Sequence, residues 1–257
     1  TDELAAVPHH LINILEPDDD YSVSIFQQQA KSLIDQLNDK HVVPILSGGT
    51  GLYVQSLLEN YNFNDIKPNT KLRIELDELY TEYGVNGLRE YAQNLAEKGG
   101  IEIKYTDKHR LYRAIELMTA GDYKSLIKQT KEGLSYKGPV IGLQRERSDL
   151  YDRINRRVEI MFEKGLVDEV KQLLKNGVNP NCQAFKGIGY KEVVQYLEGL
   201  ISYDACVDLI QKNTRHFAKR QITWYKRMPY IEWITIDSQT TEAEIYGMAC
   251  NIIDSRF

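Results

Sequence analysis

The segment VPILSGGTGLYVQSLL (residues 43–58) limits the possible folds of this chain more than any other. Its apolar run breaks into Gly48-Gly49-Thr50-Gly51, and a helical pattern of apolar residues follows. Glycines let a backbone approach a ligand closely, and the start of a helix presents free N–H groups that suit an anion. The pattern predicts a strand, a ligand-binding turn and a helix. A plain strand-to-helix turn capped by Thr50 explains the same residues equally well.

Strand and helix patterns alternate before this turn. Apolar runs at 9–16 and 41–47 predict two buried strands, and the helical spacing between them predicts a helix. Ser24 and Gln27 are expected to begin that helix as a capping box. Strands that alternate with helices favour an α/β fold with a parallel sheet.

The middle of the chain carries helix patterns only, which predicts a helical insertion. Its helices are expected at 70–83, 86–98, 107–120 and 123–132, closed by Gly84, Gly99, Gly121 and Gly133. The patterns after it predict strands at 138–144 and 230–236, with helices at 148–164, 166–176, 186–198, 203–227 and 241–254. Thr241 and Glu244 are expected to open the last of these helices as a capping box. We divide the chain into a core part at 1–63, an insertion at 64–137 and a second core part at 138–257.

The composition excludes several classes of protein. No apolar run approaches the roughly 18 residues of a membrane span. The three cysteines fit neither a disulfide framework nor a zinc site, which favours a reducing compartment such as the cytoplasm. The sequence indicates no metal site built from protein ligands, and we expect a monomer. Because the net charge is −5, any signal for nucleic acid has to be local.

Two arginines lie on or beside the apolar face of the helix predicted at 148–164. Arg157 falls within the arc that Leu150, Ile154, Val158 and Met161 define, and Arg153 borders it. An arginine on a packing face is costly unless an anion or a carboxylate meets it. An internal salt bridge and a phosphate clamp are the two interpretations, and the fork of a guanidinium suits the second.

Two further segments separate basic from apolar residues. On the helix at 203–227, basic side chains lie opposite the apolar face that Cys206, Ile210, Phe217 and Trp224 form: Lys212, Arg215, Lys219 and Lys226. On the helix at 107–120, His109, Arg110 and Arg113 share one face. Such stripes suit a phosphate backbone, and a merely solvated surface is the alternative.

Six blocks of this sequence resemble one family, the tRNA dimethylallyltransferases, also called tRNA isopentenyltransferases. The blocks are PHHLINILEPDDDYSV (8–23), VPILSGGTGLYVQSLLE (43–59), DKHRLYRAIEL (107–117), RINRRVEIMFEKGLVDEV (153–170), KGIGYKEVVQYLEG (186–199) and TRHFAKRQITWYKR (214–227). They follow one another in order along nearly the whole chain.

The resemblance implies a fold, a reaction and its partners. The fold is a P-loop-NTPase-like α/β core with a helical insertion that grips the anticodon stem-loop of a tRNA. The reaction moves a dimethylallyl group from dimethylallyl diphosphate to N6 of the adenine 3′ of the anticodon. That adenine is flipped out of its loop. Magnesium (Mg2+) is expected to accompany the diphosphate.

The resemblance also implies roles for individual residues. Thr50 matches a threonine at the reaction centre, and Arg157 matches an arginine that contacts the allyl diphosphate. Further substrate-binding residues are Gly48, Gly49, Gly51, Arg153 and Arg220. The residues that match tRNA-contacting positions are Arg73, His109, Arg110, Leu111, Tyr112, Arg113, Lys186, Gly187, Ile188, Gly189, Tyr190 and Lys191. Independently of the resemblance, the charge pattern of the basic stripe leads us to expect tRNA contacts from Lys212, Arg215 and Lys219.

One departure from the family pattern affects the expected mechanism. The family carries a P-loop that holds the diphosphate, followed by an Asp-Ser motif whose aspartate is the expected base, and neither motif occurs in residues 1–257. We expect both to precede Thr1 in a longer protein. Two other functions stay open: alkylation of free adenine nucleotides, and an inactive remnant that only binds RNA.

Overall fold

The computed structural model describes residues 6–63, 66, 68–126 and 134–256. The chain divides into two compact units. We call Thr1–Val54 with Tyr136–Phe257 the core unit and Gln55–Ser135 the helical unit. The helix α2 (Gly51–Leu58) crosses the boundary between them in sequence.

The core unit combines a small parallel sheet with helices. It contains α1 (Val23–Asp39), β1 (Val140–Arg145), α5 (Arg147–Glu163), α6 (Leu166–Lys175), α7 (Tyr190–Leu197), α8 (Tyr203–Tyr225), β2 (Ile231–Ile236) and α9 (Glu242–Asp254), with a 3-10 turn at Ala184–Lys186. The strands β1 and β2 pair in parallel, with Val140 opposite Ile231 and Arg145 opposite Ile236. The predicted α/β class is confirmed.

The helices α5 to α8 enclose the apolar core of this unit. Its buried members come from all four helices and the 3-10 turn: Val158, Leu166, Val170, Phe185, Val193, Cys206 and Ile210. This burial is the main term that stabilises the unit, at about 25 cal/mol per Å² of apolar surface. The amphipathic patterns of these helices, read at 3.6 residues per turn, point their apolar faces at this cluster.

The helical unit is built mainly from α3 (Thr70–Lys98) and α4 (Lys108–Thr119), followed by a 3-10 turn at Lys124–Leu126. Gly84 interrupts α3 with φ 64° and ψ −157°, so the predicted break between two helices is confirmed. Both halves of α3 pack on α4 through a common buried cluster, which includes Leu76, Leu88, Leu111 and Ile115. The helix predicted at 123–132 lies largely outside the described residues.

Four local predictions are wrong, and two of them concern strands. Residues 9–16 and 41–47 form no strands, and Val43 and Ile45 are 84% and 90% exposed. A strand needs a neighbour for its main-chain hydrogen bonds, and in the described ranges β1 and β2 pair only with each other. The apolar pattern shows where a strand could form, but it does not show whether another strand lies beside it.

The other two concern helix starts. The cap of α1 is Ser22, whose side chain accepts from the Ile25 N–H, instead of Ser24. The helix predicted from 186 begins only at Tyr190, because Gly189 has φ 106°. By contrast, the capping box of Thr241 and Glu244 at the start of α9 is confirmed.

No helix in the described ranges has an apolar stretch long enough to cross a bilayer.

Candidate functional site

The Gly-Gly-Thr-Gly turn ends an extended segment and starts α2. The carbonyl oxygen of Thr50 accepts hydrogen bonds from the Tyr53 N–H at 3.0 Å and the Val54 N–H at 3.1 Å, which is the pattern of a helix N-cap. Thr50 is exposed, and its hydroxyl has no hydrogen-bond partner among the residues that the structure describes. The turn therefore presents one unengaged hydroxyl at the start of a helix.

The C-terminal half of α8 holds this turn in place. The Gln221 side-chain amide donates to the carbonyl oxygen of Gly49 at 2.8 Å, and the indole of Trp224 lies against Gly51. The two contacts fall on either side of Thr50. Trp224 Nε1 is buried and has no acceptor among the described residues.

Sequence reasoning did not assign Gln221 to the site and gave Trp224 only a place on an apolar face. Their spacing could have indicated that they act together, because Gln221 and Trp224 are three residues apart and share one face of a helix. Nothing in the sequence shows that this face meets residues 49–51.

The three glycines of the turn have different surroundings. A Cβ at Gly49 would lie 2.3 Å from Gln221 Nε2, the far end of a flexible side chain. A Cβ at Gly51 would lie 2.4 Å from Trp224 Cδ1, part of a rigid ring. A Cβ at Gly48 would meet nothing within 4 Å. Rigid packing therefore requires glycine only at position 51, whereas Gly49 meets a side chain that can move and Gly48 faces open space.

The predicted arginines of α5 lie at the surface. Arg157 and Arg153 are exposed, and no carboxylate pairs with either in the part of the chain described. The placement of Arg157 on the packing face is wrong: only Ile154 and Val158 of that arc are buried. The reason is that α5 packs along a narrower stripe than its apolar residues suggest. The internal salt bridge is absent from the described residues, and a clamp for an anion stays a prediction.

The basic stripe of α8 is partly engaged. Lys212 and Lys219 are exposed, while Arg215 donates to the side-chain oxygen of Asn155 and so links α8 to α5. Arg220 is exposed and lies over the Phe217 ring, with Cζ 5.7 Å from the ring centroid. The apolar face of α8 is buried only in its first half, at Cys206 and Ile210.

The loop from Lys186 to Lys191 is anchored by a buried carboxylate. Glu192 accepts from the Gly189 N–H at 2.8 Å and from the Asn213 side-chain amide at 2.8 Å. Lys186, Gly187 and Lys191 are exposed, Ile188 is half-buried and Gly189 is buried. The loop thus presents two lysines from a fixed backbone.

Tyr190, where this loop joins α7, is half-buried. Its hydroxyl donates to Glu169, and this hydrogen bond together with burial raises the pKa of Tyr190 to about 12. Its ring meets Phe185 edge-on, with centroids 5.7 Å apart. Tyr190 therefore fastens the loop to α6.

The helical unit holds two of the predicted contact arginines through Glu116. The carboxylate of Glu116 accepts from Arg73 Nε at 2.7 Å and Arg73 Nη2 at 3.2 Å, and from Arg113 Nη1 at 3.3 Å. The Asn69 N–H donates to it at 3.0 Å. Arg113 Nη2 also donates to the carbonyl oxygen of Ile66 at 2.8 Å.

The remaining predicted contacts of α4 divide by exposure. His109 and Arg110 are exposed. Leu111 is fully buried, so its side chain is not available for a contact, and its tRNA contact stays a prediction. Tyr112 is 6% exposed, and its hydroxyl donates to Asp77, which also accepts from Lys108 Nζ at 2.8 Å. Helical spacing alone does not show which side of α4 the neighbouring helix covers.

Among the described residues there is no candidate metal centre, and the buried thiol of Cys206 is unreactive. The described residues contain no group of three or more His, Cys, Asp or Glu that could hold a metal ion. Burial raises the pKa of the Cys206 thiol to about 11, so it is protonated and unreactive near neutral pH.

Comparisons with known proteins give relatives along the whole chain. A family model described as IPP transferase matches residues 1–228. A protein of Alkaliphilus metalliredigens named tRNA dimethylallyltransferase is 38% identical over 256 residues, which are 98% of this chain and 81% of that protein. One of the same name from Carboxydothermus hydrogenoformans is 40% identical over 246 residues, covering 94% of this chain and 78% of that protein.

Solved structures agree. The crystal structure of a tRNA isopentenylpyrophosphate transferase from Bacillus halodurans has a TM-score of 0.69 and 34% identity, covering 99% of this chain and 81% of that one. A tRNA delta(2)-isopentenylpyrophosphate transferase from Staphylococcus epidermidis has a TM-score of 0.68 and 32% identity, covering 100% of this chain and 84% of that one.

The glycine turn yields a prediction for three matched substitutions. We expect Gly51→Ala to destabilise the protein by about 1–3 kcal/mol, because the methyl group overlaps a rigid ring. Gly49→Ala should cost less, since Gln221 can turn away, and Gly48→Ala should leave the free energy of unfolding unchanged. Urea unfolding of the three variants measures this order. Equal losses at Gly48 and Gly51 would contradict the described packing.

The Glu116 cluster yields a prediction for pH dependence. Burial acts to raise the pKa of Glu116, but the hydrogen bonds from Arg73, Asn69 and Arg113 outweigh it and leave this pKa below its ordinary value. A carboxyl group with a lowered pKa in the folded state stabilises the protein above its unfolded pKa, about 4.3, and this stabilisation is lost as the pH falls through the folded value.

The free energy of unfolding of the unaltered protein should therefore exceed that of Glu116→Gln at pH 6, and the difference should shrink towards pH 3. Urea unfolding at both pH values measures it. Glu75→Gln, an exposed change on the helix of Arg73, is the control and should have little effect at either pH. A deficit of Glu116→Gln that is equal at both pH values would show that the ionised carboxylate is not the stabilising form.

Proposed function

Because this chain belongs to the IPP transferase family, we propose that it transfers a dimethylallyl group from dimethylallyl diphosphate to a tRNA. The acceptor is N6 of the adenine 3′ of the anticodon, and the anticodon stem-loop is the part of the tRNA that the protein binds. The names of the relatives support the reaction class, since those proteins are tRNA dimethylallyltransferases.

One observation carries the proposal at the level of the site: the turn at Thr50 is pinned on both sides, yet its hydroxyl is unengaged within the described residues. An exocyclic amine is a weak nucleophile, so its approach has to be fixed by hydrogen bonds. A hydroxyl can both donate to and accept from the Watson–Crick edge of a flipped adenine. In this role Thr50 positions the amine.

The transfer leaves negative charge on the departing diphosphate, and the chain offers cations that can bind it. The allylic C–O bond breaks with its electron pair leaving on the diphosphate, and the lone pair of N6 forms the new C–N bond. N6 then loses a proton. Arg157 and Arg153, which no carboxylate neutralises among the described residues, are available to bind the diphosphate. Arg220 is a further exposed cation for this purpose.

Magnesium would add charge neutralisation at the diphosphate. The described residues hold no cluster of three protein ligands, so such an ion would take most of its ligands from the diphosphate and water, as Mg2+ commonly does. No step above depends on it.

The reaction is tested by supplying labelled dimethylallyl diphosphate with an unmodified anticodon stem-loop RNA or with AMP. Digestion and mass spectrometry should show the alkylated adenosine in the stem-loop, at the position 3′ of the anticodon. The same stem-loop with guanine at that position is the control and should take no label. Label in AMP alone would favour a nucleotide-alkylating enzyme. RNA binding without any transfer would favour an RNA-binding protein.

The diphosphate role of Arg157 gives a separate prediction. Arg157→Ala should lower the single-turnover rate by roughly a hundredfold, because the charge on the leaving group loses a cationic donor. The dissociation constant for tRNA, from filter binding, should change little. Arg156→Ala, an exposed arginine on the same helix, is the matched control and should alter neither quantity strongly. Equal losses of rate and tRNA affinity in Arg157→Ala would contradict the assignment.

A further inference from the structure

Glu116 is a buried carboxylate that pairs with two arginines. Its side chain is only 1% exposed, while the side chains of its partners Arg73 and Arg113 are 43% and 34% exposed. A buried carboxylate is costly unless it is fully hydrogen-bonded. Here both oxygens of Glu116 are engaged, by two arginines and one main-chain N–H.

The geometry restrains both arginines from the protein side. Arg73 meets the carboxylate with Nε and Nη2, a two-point contact that fixes the plane of its guanidinium. Arg113 is held by Nη1 on Glu116 and by Nη2 on the carbonyl oxygen of Ile66. The guanidinium of Arg73 is therefore anchored along one edge, while 43% of its side chain stays exposed to solvent.

We infer that Glu116 is a positioning residue for tRNA binding: it holds the guanidinium of Arg73 so that the remaining N–H groups of that side chain meet the RNA backbone. This inference rests on the proposed function and on the predicted tRNA contact of Arg73. A long flexible side chain loses rotamer freedom when it binds, at about 0.5–1.5 kcal/mol each, and Glu116 removes that cost in advance.

The inference is tested by whether neutralising Glu116 tightens or weakens RNA binding. As a mere counter-charge, it weakens the attraction of both arginines for phosphate, so its neutralisation would tighten RNA binding. As a positioning residue, its loss frees Arg73 and weakens binding although the net positive charge rises. A purely structural residue would lower the active fraction, and with it kcat, without changing KM.

The first experiment compares Glu116→Gln with the unaltered protein. We expect the KM for tRNA to rise roughly tenfold, which corresponds to a loss of one charge-assisted hydrogen bond. The kcat at saturating tRNA and the KM for dimethylallyl diphosphate should stay the same. The slope of log K against log salt for tRNA binding should become shallower, since fewer phosphates are neutralised.

The matched control is Glu75→Gln, which removes the same charge from an exposed position two residues from Arg73. It should leave the KM for tRNA unchanged or slightly lower. A second variant, Arg73→Lys, keeps the charge but cannot make the two-point contact. Its effect on the KM for tRNA and that of Glu116→Gln should be non-additive in the double variant, because both disrupt one arrangement.

Three results would overturn the inference. These are a KM for tRNA that is unchanged in Glu116→Gln, one that is lower, and a fall in kcat alone. If Glu116→Gln does not fold, Glu116→Asp takes its place, since it keeps the charge but is one methylene too short for the same contacts. An unchanged KM in Glu116→Asp would then overturn the inference.

Failure of the proposed function gives a different result. The unaltered protein would then transfer no label, whereas filter binding of tRNA would still compare the dissociation constants of the unaltered protein, Glu116→Gln and Glu75→Gln. Weaker binding by Glu116→Gln alone supports the positioning role even without transfer, and equal binding by all three overturns it.

Discussion

The packing of α8 is the constraint on which the core unit depends. Its first half buries Cys206 and Ile210 against α5 and α7, and its second half carries the two side chains that hold the Thr50 turn. A helix is rigid over this length, so burial at one end fixes the position of Gln221 and Trp224 at the other. The apolar core thereby sets the geometry of a polar turn.

In each unit a buried carboxylate accepts hydrogen bonds that fix the position of groups at or near cationic residues. Glu192 fixes the backbone at Gly189, from which Lys186 and Lys191 extend, and Glu116 fixes the guanidinium groups of Arg73 and Arg113. Such groups are tolerated inside a protein only when every oxygen is satisfied, and that requirement makes them specify one arrangement. In each unit a buried negative charge thus fixes the arrangement of groups at or near cationic residues.

Particular residues show which structural features the sequence patterns predict correctly and which they do not. The break of α3 at Gly84 and the capping box at Thr241 are confirmed, because both are local: each depends on residues within one helical turn. The strands at 9–16 and 41–47 are wrong, because a strand depends on a partner elsewhere in the chain. The burial of Leu111 and the exposure of Arg157 were missed for a related reason, since helical spacing does not tell which face a neighbouring element covers.

The sequence by itself determined the helices, the glycine turn with its threonine, and the blocks that lead to the IPP transferase family. Only the tertiary structure decided which groups meet. Gln221 reaches Gly49 across 172 residues, and Arg73 meets Glu116 across 43. Hydrogen bonds and ion pairs act over a few ångströms, so the residues that position a site are identified only when the fold brings distant segments together.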